Sequence, residues 1–190
     1  VSNGKIFYHF NDTAKRSWSQ PPYDLTNPGH MRMNDPESKK YINPVTQNGP
    51  FYEYVDVEDE AYIDGQICEK TINDLRKLNN SEKPFFLACG FVRPHLPFYA
   101  PKKYWDMYNR KEIELADNPF VPEGVTKYSL HNFGELRGYR GIPEEGELSA
   151  GKARELIHGY YPCVSYIDSL IGKLLDALEK LTLHDITMVI

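Results

Sequence analysis

An α/β fold, with a largely parallel sheet and helices on both faces, is the class this chain predicts. Three observations carry it: a continuous apolar run ending at a histidine held between prolines, two segments with helical periodicity, and the order strand, helix, strand, helix, strand. Crossovers of that kind are right-handed, and the chain shows no internal repeat that would call for another architecture.

Residues 4–8 form a short apolar strand candidate. Residues 10–58 are rich in Pro, Asn, Asp and Tyr with little periodicity, which predicts a long loop. A loop of that length either shapes a site or runs as a solvated excursion. The next segment predicts a helix with Asp64 as its N-cap and Ile67, Cys68, Thr71, Ile72, Leu75 and Leu78 on one face, ended by Asn79-Asn80. Residues 84–91 read as a strand buried on both sides, because their apolar residues run on rather than alternate. A short helix from Pro101 to Tyr108 follows, with Pro101 suited to its first turn.

Between 109 and 149 the chain turns polar, and Pro119, Pro122, Pro143 and several glycines break any period, so one or two further long loops are expected. Lys152 to Leu181 is the strongest helical segment, with Leu156, Tyr160, Val164, Ile167, Ile171, Leu174, Leu178 and Leu181 spaced by three or four. Pro162 interrupts it, at about 3 kcal/mol for an interior proline, so a kink or restart is expected near 158–162. The β-branched run Ile186-Thr187-Met188-Val189-Ile190 predicts a strand entering a loop.

Composition narrows the function. At 190 residues, 41% hydrophobic and 26% charged, the chain is long enough for one domain with a substantial core. A formal charge of −5 with no long basic run argues against nucleic acid, whose phosphates call for clustered Lys and Arg. The longest apolar runs fall far short of the roughly 20 residues that span a bilayer, so no membrane span is expected. Cys68, Cys89 and Cys163 are scattered without paired metal spacing and read as small core residues.

The candidate chemistry sits in Arg93-Pro94-His95-Leu96-Pro97-Phe98, directly after the apolar run. Each proline fixes its own φ and biases its predecessor toward extended geometry, which restricts where the His95 imidazole points. In open parallel sheets ligands lie beyond the carboxyl ends of strands, and a histidine there titrates near neutral pH as a general acid or base. The ordinary alternative is a loop histidine that caps a strand.

Three blocks in order resemble the sulfatase family, most closely its iduronate-2-sulfatase and choline-sulfatase-like branch. The first is Gly4-Lys5-Ile6-Phe7-Tyr8-His9 with Arg16-Ser17-Trp18-Ser19; the second is the Arg93–Phe98 motif with Tyr99-Ala100-Pro101-Lys102-Lys103-Tyr104. The third, Gly159-Tyr160-Tyr161-Pro162-Cys163-Val164-Ser165-Tyr166-Ile167-Asp168, is similar to the family's long helix, with proline where the family usually has alanine. The resemblance implies an alkaline-phosphatase-like fold and places residues 1–190 as the central portion of a single catalytic domain, truncated at both ends.

It also implies hydrolysis of a sulfate monoester, on a sulfated carbohydrate, by a formylglycine nucleophile with calcium. Neither the Cys-x-Pro-x-Arg or Ser-x-Pro-x-Arg nucleophile motif nor the family's metal carboxylates occur in this sequence, so nucleophile and metal ligands are expected outside it. Cys89 has Arg93 four residues later, as in that motif, but Phe91 stands where proline is required.

By the same resemblance Lys5 and His95 are the catalytic pair, Lys5 holding a sulfate oxygen and His95 protonating the leaving group. His9 joins them in substrate binding; relatives carry that histidine three residues after the lysine, where this chain has Tyr8. No residue of this chain is assigned to a metal. The family places such enzymes in periplasmic, secreted or lysosomal settings. Two alternatives stay open: phosphomonoester or phosphonate hydrolysis on the same scaffold, and a non-catalytic homologue that binds sulfated glycans.

Overall fold

The computed structural model describes residues 1–7, 14–23, 33–42 and 49–190. In chain order its elements are β1 (Ser2–Gly4), α1 (Ala14–Ser17), α2 (Pro36–Lys39), β2 (Tyr52–Glu53), α3 (Ile63–Asn79), β3 (Ala88–Gly90), β4 (Phe98–Tyr99), α4 (Lys102–Trp105), α5 (Gly134–Arg137) and α6 (Ala150–Lys180). Short 3₁₀ turns lie at Asp59–Ala61, Arg110–Glu112, Lys127–Ser129 and His184–Ile186.

The strands pair in parallel, two by two. Ser2, Asn3 and Gly4 of β1 face Ala88, Cys89 and Gly90 of β3, while Tyr52 and Glu53 of β2 face Phe98 and Tyr99 of β4. With α3 packed on both β1 and β3, the first pair is a βαβ unit, as the predicted order requires. The second pair lies partly inside the segment read as loop. Two-residue strands are too short for alternation to show in sequence.

β1 also lies earlier than the apolar pattern placed it. Its residues are polar, yet Ser2 and Asn3 are buried, and the Asn3 side chain donates to Thr71 Oγ1 (3.2 Å) and Asp74 Oδ2 (3.0 Å) on α3. Gly4 at φ +79° ends the strand, so Lys5 follows its carboxyl end rather than standing at a strand's start. β3 spans three residues rather than 84–91 and is half-buried, with Phe86 at 66% exposure. Among the described residues one strand and one helix cover it, which leaves the other face open.

α3 starts two residues earlier than expected, with Tyr62 as N-cap. The orphan N–H of Gly65 is satisfied by Tyr166 from α6, whose hydroxyl accepts from Gly65 N (2.7 Å) and donates to Asp59 O (2.8 Å). Asp64 is thereby released from capping. The predicted apolar face of α3 holds through Leu75, with Ile67, Cys68, Thr71, Ile72 and Leu75 buried against the sheet and α6, while Leu78 at its end is only half-buried.

α6 runs unbroken through Pro162, so the expected restart does not occur. Cys163, Tyr166 and Leu170 in the turns after the proline are all 0% exposed, and this packing, with the Tyr166 hydroxyl bonds, offsets the proline's cost of about 3 kcal/mol. Asp59 ties the same layer together, its carboxylate meeting Lys103 (2.8 Å), Lys173 (2.9 Å) and the Tyr104 hydroxyl (3.0 Å). Burial opposes the charged form there, but these partners outweigh it and hold the Asp59 carboxyl below its ordinary range.

α4 is shorter than the predicted 101–108 helix, with Pro101 capping it. The 109–149 segment is irregular apart from α5 and the two 3₁₀ turns. Residues 187–190 form no strand, and Met188 and Ile190 are exposed; a β-branched run becomes a strand only with a partner, and none lies beside it among the described residues.

Candidate active site at the carboxyl ends of parallel strands

The register of β1 with β3 decides where Lys5 lies. Gly4 faces Gly90, and the Lys5 N–H donates to Gly90 O at 2.8 Å, so the lysine leaves β1 at the point where β3 ends. The crossing is too tight for side chains. A Cβ on Gly4 would meet Gly90 O at 2.0 Å, and one on Gly90 would meet Lys5 O at 2.1 Å.

Beyond β3 the chain enters the His95 loop, which is held by a buried carboxylate. Asp64 in the first turn of α3 accepts from Val92 N (2.7 Å) and Arg93 N (3.2 Å). Arg93 is 5% exposed and turns back over the loop, Nε donating to Tyr99 O (3.3 Å) and Nη1 to His95 O (3.1 Å), with its guanidinium against the Tyr99 ring. Burial pushes the Asp64 carboxyl up, opposed by the Arg93 charge and the two N–H donors. Both the Arg93-Pro94 and Leu96-Pro97 peptide bonds are cis, and the His95 N–H closes a turn onto Val92 O at 3.0 Å.

His95 itself is half exposed. Its Nδ1 lies 2.8 Å from Leu96 O, and because a carbonyl only accepts, Nδ1 carries the donated proton. Nε2 has no hydrogen-bond partner among the described residues. Glu135 Oε1 of α5 stands 3.6 Å from Nδ1, also half exposed, and pairs with the ring once it is protonated.

Lys5 and His95, ninety positions apart in sequence (95 − 5), line one open cavity of about 660 Å³. Arg93 also borders it, its guanidinium held by the loop, and Phe7, Phe91 and Tyr160 give it an apolar part. The site therefore brings a lysine and an imidazole beside aromatic surface, a combination suited to an anion attached to an organic group.

The sulfatase family model matches residues 5–190. The chain belongs to the sulfatase family. Over its whole length it is 31% identical to iduronate 2-sulfatase of Homo sapiens, of which it covers 36%. It is 34% identical over 65% of its length to an arylsulfatase of Clostridium perfringens (24% of that protein), and 29% identical over 57% to a multifunctional alkaline phosphatase superfamily protein of Trinickia caryophylli (22% of that protein). The chain thus spans about a third of the length of the iduronate 2-sulfatase it matches. Membership implies the alkaline-phosphatase-like α/β fold, with which the short parallel strand pairs and their helices agree.

Of the residues singled out in this sulfatase sequence, Lys5 and His95 share the cavity, while His9 and Tyr8 lie outside the described residues. The other described histidines serve local structure. His158 accepts from Arg110 Nε (3.1 Å) and contacts Trp105 O (3.3 Å), His131 accepts from Phe133 N (2.8 Å), and His184 lies beside Asp185 (3.2 Å).

Cys89 is half-buried in β3 and accepts from Thr71 Oγ1 at 3.4 Å; burial raises its thiol, and pushes Cys68 and Cys163 up to about 12. Such thiols are poor nucleophiles. Among the described residues no three His, Cys, Asp or Glu side chains converge as a calcium cradle would require, and no helix is long and apolar enough to cross a membrane.

Sequence reasoning passed over Asp64 as a loop anchor, because its position matched an N-cap. Arg93 stood in the motif without a role, and its burial is what reveals it. Glu135 sits in a polar segment that offers no periodic signal.

Proposed function

We propose that residues 1–190 are the central part of a single catalytic domain that hydrolyses a sulfate monoester, on a sulfated carbohydrate, with Lys5 and His95 as its catalytic pair. On this reading the two strand pairs belong to one larger parallel sheet with helices on both faces. The observation that carries the proposal is the meeting of Lys5 and His95 in one cavity at the carboxyl ends of paired strands.

The Lys5 ammonium offsets charge on a non-bridging sulfate oxygen, which grows as the bond to the leaving oxygen breaks. His95, with Nδ1 fixed on Leu96 O, gives the Nε2 proton of its cationic form to the departing alkoxide and returns to the neutral ring. His9 completes the substrate-binding set on this reading. Formylglycine and calcium, implied by the family, belong to segments outside this chain, and the tasks given to Lys5 and His95 do not depend on their placement.

A second reading, phosphomonoester or phosphonate hydrolysis, draws on the likeness to the multifunctional alkaline phosphatase superfamily protein. The full-length polypeptide assayed on 4-nitrophenyl sulfate, 4-nitrophenyl phosphate and sulfated monosaccharides separates the two. Sulfate-ester turnover that falls by about 100-fold or more in Lys5→Ala is the expected result. Phosphate-ester turnover alone transfers the site to the second reading, and turnover of neither ester refutes both.

A further inference from the structure

Tyr160 lines the cavity from α6, and neither its exposure nor its surroundings are those of a core residue. It is 44% exposed at the site, and among the described residues its hydroxyl has no hydrogen-bond partner. Its neighbour Gly159 is buried tightly against Phe98, where a Cβ would meet Phe98 Cδ2 at 2.6 Å. The Phe98 ring lies edge-on to Tyr160, with centroids 6.0 Å apart and planes at 85°. Phe98 directly follows Pro97 of the His95 loop, so the close approach at Gly159 fixes the Tyr160 ring relative to His95. An aromatic ring whose place is set by a glycine contact, with an open face and an unused hydroxyl at a cationic cavity, is a preorganised binding surface.

A sulfate monoester brings two unlike halves to this cavity. Lys5 and His95 match the anion; among the described lining residues Tyr160 is the one able to offer both an apolar ring and a free hydroxyl to the other half. We propose that Tyr160 is a specificity-determining residue that receives the ring of the alcohol half, stacking on the C–H face of a pyranose and hydrogen-bonding one of its hydroxyls. This inference rests on the reading of the cavity as a sulfate-ester site, and it assigns Tyr160 to the leaving group rather than to the sulfate.

The test measures, by calorimetry on the full-length polypeptide, the binding of inorganic sulfate and of a sulfated monosaccharide to wild type, Tyr160→Phe and Tyr160→Ala. The expected result is sulfated-sugar affinity weakened at least tenfold in Tyr160→Ala and less in Tyr160→Phe, with sulfate affinity within twofold of wild type throughout. Sugar affinity unchanged in Tyr160→Ala overturns the assignment while leaving the sulfate site standing. A parallel loss for both ligands also overturns it, since Tyr160 would then act through the fold. If wild type binds neither ligand, the sulfate-ester reading fails and the assignment falls with it, an outcome that the sulfate titration alone identifies.

Discussion

The His95 loop and the 109–149 segment are both irregular and both punctuated by proline, yet they differ in how their backbones are held. In the first, Val92, Arg93, Pro97 and Phe98 are buried, and Asp64 and Arg93 between them satisfy four backbone groups: two N–H by the carboxylate and two carbonyls by the guanidinium. In the second, Phe120, Val121 and Tyr128 are 72%, 60% and 89% exposed, and only Ile113, Tyr139 and Ile142 are buried. Proline content does not make a loop rigid here. Burial beneath Asp64 and Arg93, which complete the backbone hydrogen bonds, does, and the proposed chemistry lies on the loop that has it.

The comparison breaks most readily at Asp64. Asp64→Ala leaves the two buried N–H groups of Val92 and Arg93 without their carboxylate acceptor, so a loss of about 2–5 kcal/mol is expected in denaturant unfolding. Arg93→Lys keeps the charge but cannot bridge Tyr99 O and His95 O with one ammonium. Its expected cost is about 1–3 kcal/mol, read by the same unfolding, together with lower turnover because His95 is less well fixed. Phe120→Ser, in the exposed segment, is expected to move stability by no more than about 0.5 kcal/mol, and a larger loss would show that this segment is packed as tightly as the other.

The parts legible in the sequence were those where one force acts alone. Two prolines around a histidine after an apolar run marked the His95 loop, and three- and four-residue spacing marked α3 and α6. Where polar side chains are buried with their partners, the hydrophobic pattern fails: β1 is Ser-Asn-Gly, buried because Asn3 reaches Thr71 and Asp74. Competition between local and distant partners hid the role of Asp64, since the residue fits an N-cap and is claimed instead by the end of β3. Pro162 shows the same competition settled the other way, with tertiary packing overriding a local helix breaker. For Lys5 the residues alone give no signal beyond a solvated lysine and only the family resemblance singles it out; the strand register sets it beside Gly90 and in the cavity with His95.

That shared cavity is the centre of the account, and leaving-group dependence tests it most directly. The kcat/KM of wild type and His95→Ala would be compared in the full-length polypeptide on two esters: a sulfated monosaccharide, whose alkoxide needs a proton to depart, and 4-nitrophenyl sulfate, whose phenolate does not. Proton donation by His95 predicts a loss of about 100-fold or more on the sugar ester but less than about tenfold on the nitrophenyl ester. Equal losses on both would contradict the account and reduce His95 to a residue that holds the loop.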